Sequence, residues 1–182
     1  VAFSEEKLGK KYTSSDAIDD VAMRVIADHA RATAFLVADG VLPENVGRGY
    51  VLRSIMRRAI RFGDQLGFKD AFFHEVAARA VDMFGAHYTE LERARSLIEK
   101  VAASEEEAFR RTLRNGLEVY ALATKNLAKG ATIAGSVVFD LKATHGFPHD
   151  LTAQMARERG LEIDWDGFKK AEEVPLEAST TE

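Results

Sequence analysis

Cysteine is absent from this 182-residue chain, which excludes disulfides and thiolate metal sites and fits a reducing cytoplasm. No apolar run approaches the roughly 18 residues that a membrane span needs. No leader with a charged start and an apolar middle opens the sequence. Positive charge is not in excess either: the net charge is −4, so overall balance does not point to nucleic acid. Internal repeats are lacking. The first residue is Val1 and not Met, and it runs straight into polar sequence, which reads as a piece of a longer protein.

What is present is helical pattern. With 46% hydrophobic residues, the chain can build one domain, or one domain with an appendage. Ser14, Ser15 or Asp16 can cap a first helix to about Asp39, with Ile18, Val21, Val25, Ile26, Phe35 and Leu36 on its apolar face and Gly40 at its end. The stretch from Val41 to Gly49 is too broken for helix. A second helix is predicted over Tyr50 to Leu66 and a third over Asp70 to Phe84. From Thr89 to about Ala128, apolar residues from Leu91 to Leu127 recur at helical steps. Ser104 and Glu107 have a capping-box spacing, at which one helix can yield to another. After Gly130 the glycines and Pro148 cut the chain into short pieces. The fold class is therefore all-α, a mainly helical bundle with a smaller irregular helical end and little or no sheet. The expected divisions are a linker at 1–14, the bundle at 15–129, a small helical part at 130–173 and a frayed tail from Val174.

Local charge departs from the average. Arg48, Arg53, Arg57, Arg58 and Arg61 fall between Gly47 and Phe62, where no acid occurs. At about 100° per residue, Arg53, Arg57, Arg61 and Arg58 span about 140° of the second helix. Val51, Leu52, Ile55, Met56, Ala59, Ile60 and Leu66 take the other side. Within the helix only Asp64 stands at pairing distance, from Arg61. This face is either a solvated helix surface or a seat for phosphates, whose oxygens match the arginine fork.

Longer motifs carry a resemblance. Arg24 to Ala32 (RVIADHARA), Ala38-Asp39-Gly40-Val41-Leu42-Pro43, Asn45, Gly47 to Arg53 (GRGYVLR) and Arg57-Arg58-Ala59 appear in that order. Leu8 to Tyr12 precedes them, and Gly146-Phe147-Pro148-His149-Asp150-Leu151-Thr152 follows. Ala156 to Leu161 and Asp166-Gly167-Phe168 continue the series. Over residues 7 to 171 the chain resembles alanyl-tRNA synthetases, in the helical tRNA-binding segment that follows their class II catalytic core.

That resemblance implies a partner, the acceptor stem of tRNA(Ala), and neither DNA nor membrane. It implies a G·U wobble pair read by Asn45 and Asp150, with Arg48, Arg53, Arg57, Arg58 and Arg61 on the RNA backbone. The family charges tRNA using ATP and magnesium. Those catalytic motifs are expected upstream, packed in cis, leaving this piece with no cofactor, no metal and no catalytic residue of its own. The chemistry agrees. The minor groove is the readable edge of A-form RNA, a carboxylate accepts from a guanine amino group, and an amide can donate and accept. The chain departs from the family pattern at Val46, at Ser54 and at Leu141 to His145, where Lys142 and His145 stand close to Asp150 in sequence.

Plainer roles exist for several residues. Asp150 can be a helix N-cap and Asn45 a turn residue. His29 lies on an apolar stripe and reads as a core or interface histidine. His145 and His149 are separated by Gly146 and Pro148, which breaks a helical metal pair. Gly47-Arg48-Gly49 lacks the Lys-Ser/Thr of a phosphate loop. Lone Trp165 reads as packing for the last helix. A competing function is a protein-interaction scaffold using the Leu91–Leu127 stripe. A DNA-binding helix-turn-helix is disfavoured, because the loop from Gly40 to Gly49 exceeds that motif's turn.

Overall fold

The computed structural model describes residues 1–173, and the tail expected to fray from Val174 lies outside the described residues. Among the described residues there are eight helices and one pair of two-residue strands, so the all-α expectation holds. None of these helices is long and apolar enough to cross a membrane. The chain divides into two compact units, Val1–Arg110 and Arg111–Glu182.

The first unit contains α1 (Ala2–Leu8), α2 (Ile18–Ala38), α3 (Gly47–Leu66), α4 (Phe73–Phe84) and the first part of α5 (Thr89–Thr124). Helix α1 forms inside the stretch read as a linker. Its Phe3 is buried and stacks on Phe68, which stacks in turn on Phe72 at 4.2 Å. Helix α2 packs against α3 and α4. Met23, Ile26, Leu52, Met56, Ile60 and Phe73 are fully buried there, each contributing roughly 1.5–3 kcal/mol. Alanines at 30, 34, 59 and 77 are equally buried and leave room for close helix approach.

No side chain caps the start of α2 at its own N-cap. Asp20, in the first turn, ties down the incoming chain by accepting from the backbone N–H and hydroxyl of both Thr13 and Ser15 at 2.7–3.2 Å. These bonds, the Ser15 N–H first and the Thr13 hydroxyl next, hold the Asp20 carboxyl well below the usual carboxylate range. A depressed folded pKa gives stability that is complete above the unfolded value of about 4 and is lost as pH falls toward the folded value. The melting-temperature gap between the wild type and Asp20→Ala is therefore expected to shrink between about pH 5 and about pH 2. A gap independent of pH would contradict this role.

Helix α5 runs uninterrupted from Thr89 to Thr124, so the capping-box spacing at Ser104 and Glu107 marks no boundary. Leu91, Ile98, Ala102 and Phe109 form one buried stripe through that point. Glu105 and Glu106 lie between Ala102 and Phe109, both are buried, and both are engaged by partners from earlier helices.

The second unit contains the rest of α5, then β1 (Thr132–Ile133), α6 (Gly135–Ala143), α7 (His149–Glu158), β2 (Glu162–Ile163) and α8 (Trp165–Glu173). The strands pair in parallel, Thr132 with Glu162 and Ile133 with Ile163. Phe147 is fully buried and its ring lies so close to α5 that a Cβ on Gly116 would meet it at 2.0 Å. That contact anchors the turn leading into α7.

Candidate nucleic-acid interface

The loop before α3 is built around close approach. A Cβ on Gly49 would fall 2.4 Å from the Leu42 carbonyl oxygen and 2.6 Å from Glu44 Cβ, so the loop lies directly on the first turn of α3. Val46 caps α3 without a side-chain hydrogen bond, and no acid occupies the first turn. Exposed Arg48 stands at the positive end of the helix dipole, an unfavourable place for a cation unless an anion joins it.

The five arginines separate into two groups. Arg48 and Arg58 are exposed and make no hydrogen bond or ion pair with the described residues. Arg53, Arg57 and Arg61 are held. Glu105 of α5, itself only 8% exposed, faces Arg53 Nε at 3.3 Å and accepts from Arg57 Nε at 2.7 Å. The Arg57 guanidinium also lies 4.9 Å from the centre of the Phe109 ring. Arg61 is buried and sits over Phe62. The acid absent from the helical neighbourhood of Arg53 and Arg57 thus arrives from 52 and 48 residues along the chain, respectively. Its sequence signal is the pair Glu105-Glu106 on an apolar stripe, where acids need partners.

Asn45 is exposed on the loop, and its side-chain oxygen accepts from Arg53 Nη1. The same guanidinium donates through Nη2 to the Pro43 carbonyl at 3.3 Å. His29 of α2 is mostly enclosed; burial, and then the charge of Arg58, push its pKa below the ordinary value, with Asp28 3.4 Å away opposing them. It is a packing histidine.

In the second unit Gly146 takes φ 63°, Phe147 is the buried anchor, and Pro148 is the N-cap of α7. Asp150 therefore occupies the first turn and not the cap, and makes no cap hydrogen bond. Its carboxylate is half-buried, and Oδ1 is enclosed with no donor from the described residues. Buried acceptors are normally satisfied, and a carboxylate is favoured at this end of a helix. The departures nearby are absorbed locally: Lys142 pairs with Glu172 of α8 and lies over Phe168. His145 Nε2 is 3.6 Å from Asp140. His149 stacks on Phe168, at 5.4 Å. Trp165 packs edge-on to Phe168 while remaining 41% exposed.

The whole chain, residues 1–182, matches the family described as tRNA synthetases class II (A). It belongs to that family. Among similar proteins this class II synthetase chain is 48% identical over 164 residues to an alanine–tRNA ligase of Francisella philomiragia, covering 90% of the chain and 19% of that protein. It is 50% identical over 163 residues to an alanine–tRNA ligase of Acidithiobacillus ferridurans, covering 90% and 18%. With an alanine–tRNA ligase of an Anaeromyxobacter strain it shares 48% identity over 182 residues, covering 91% and 20%. The chain thus spans about a fifth of the length of these relatives.

Proposed function

We propose that this chain is the acceptor-stem-reading segment of an alanine–tRNA ligase acting in the cytoplasm, serving ATP-dependent alanylation of tRNA(Ala). ATP and magnesium would be handled by a catalytic domain of the same protein packed in cis. The observation that carries the reading is the place of Asp150: a half-buried carboxylate on the first turn of α7, beyond the Pro148 N-cap and beside the Gly146–Pro148 turn. A carboxylate only accepts, which suits a guanine amino group in the minor groove. A G·U wobble frees that amino group from its usual partner, so an acceptor there separates G·U from G·C. Asn45 is proposed as the second base-reading residue.

Arginines then position the RNA without reading it. Arg48 and Arg58 are the leading phosphate contacts, because neither is engaged by an acid among the described residues. Arg53, Arg57 and Arg61 are held by the fold and add field more than direct grip. Burial of Leu91, Ile98, Phe109, Leu113 and Tyr120 favours this reading over a scaffold that presents the α5 stripe to a partner.

Binding of an acceptor-stem hairpin is expected to weaken with salt. Arg48→Gln and Arg58→Gln should each reduce the slope of log affinity against log salt by about one, equally for G·U and G·C hairpins. Unchanged slopes in both variants would remove these arginines from the interface.

A further inference from the structure

Asn45 carries an amide that could read either a donor or an acceptor, and the structure already engages its acceptor side. Its oxygen is committed to Arg53 Nη1, while the other edge of the same guanidinium donates to Pro43 O and Nε faces Glu105 Oε2. Glu105 is buried and shared with Arg57. One guanidinium therefore hydrogen-bonds the loop carbonyl and the Asn45 oxygen, while the buried charge of Glu105 holds it as an ion pair without a hydrogen bond to Nε. Arg53 is only 23% exposed, so water competes weakly for it.

We infer that Arg53 is a positioning residue, held by Glu105, which turns the Asn45 amide so that its NH2 faces outward as a donor only. A cation on the amide oxygen also strengthens the opposite N–H as a donor. Asn45 then requires an acceptor, a pyrimidine O2 in the RNA minor groove, and complements Asp150, which requires a donor. This deepens the reading above and rests on it. It also takes Arg53 out of the set of phosphate contacts.

The test uses the 182-residue chain with acceptor-stem hairpins carrying G·U or G·C, comparing the wild type, Arg53→Lys, Asn45→Ala, Asn45→Asp and the Arg53→Lys/Asn45→Ala double variant. Lysine keeps the charge but cannot span three partners. Arg53→Lys is expected to lower the G·U-over-G·C ratio about 3- to 10-fold, at nearly unchanged salt slope, and to add nothing in the Asn45→Ala background. Asn45→Asp, which removes the donor at constant size on an exposed loop, should lose at least as much as Asn45→Ala even if Arg53→Lys unfolds. Equal weakening of both hairpins with a reduced salt slope would make Arg53 a phosphate contact and overturn the inference. So would wild-type preference in Asn45→Asp. A wild type without G·U preference would instead remove the base-reading function on which the inference stands.

Discussion

Glu106→Ala is expected to destabilise the chain by about 3 kcal/mol, lowering its melting temperature by about 10 °C. Glu106 is fully buried. Its carboxylate accepts from the backbone N–H of Phe72, at 3.0 Å to its nearer oxygen, and from that of Phe73 at 2.8 Å. These are donors at the start of α4, whose own N-cap is Phe72 and provides no side-chain acceptor. The remaining bond comes from Arg110 Nε at 3.0 Å, while the other arms of Arg110 reach the carbonyls of Lys69 and Asp70. Removing the carboxylate strands two buried N–H groups and leaves a half-buried cation without its acid, each a costly event. Glu106→Gln keeps an acceptor but turns an NH2 toward some of these donors, so it should lose about half as much. The exposed neighbour Glu107 makes the control, since Glu107→Ala should stay within about 0.5 kcal/mol of the wild type. Chemical denaturation of the three variants checks the order. A Glu106→Ala loss equal to that of Glu107→Ala would contradict the capping role.

Asp150→Ala has the second large effect, on binding and not on folding. A half-buried carboxylate whose enclosed oxygen has no donor among the described residues gives the fold little, at most the dipole term of about 0.3–1 kcal/mol. Its value to an RNA contact is larger, about 1–3 kcal/mol of discrimination for a well-placed base contact. The variant is expected to melt close to the wild type and to lose about 10-fold or more of any G·U preference. Asp150→Asn should behave almost as badly, because half of its amide would meet the guanine amino group donor to donor. A variant that melts much lower while keeping its preference would make Asp150 a structural residue.

Much of this was legible in residue order. The apolar steps of α2, α3 and α4 place their helices within a few residues, and Gly40 and Gly67 stop α2 and α3 in left-handed conformations. The separation of arginines from apolar residues on α3 follows from angle alone. What α3 cannot state is who pairs with its arginines. Glu105 lies far along the chain, and only tertiary packing brings it to Arg53 and Arg57. The same holds for Glu106, which replaces the cap that α4 lacks. Ser104 and Glu107 form a capping box only where the chain breaks, and here the buried stripe and its two anchored acids carry α5 through. Two-residue strands leave no periodicity to read; β1 and β2 exist because Glu162 N donates to Ala131 O and Asp164 N to Ile133 O. For Asp150, local spacing favoured a cap, and Pro148 takes that place instead.

The most direct test is the affinity of the wild-type chain for a G·U acceptor-stem hairpin against its G·C counterpart, at low and at moderate salt. The expected result is affinity that falls with salt for both hairpins, with a preference for G·U that survives the change in salt and disappears in Asp150→Ala. Equal affinity for the two hairpins at both salt concentrations would contradict base reading by this chain and leave α3 as a charged surface alone.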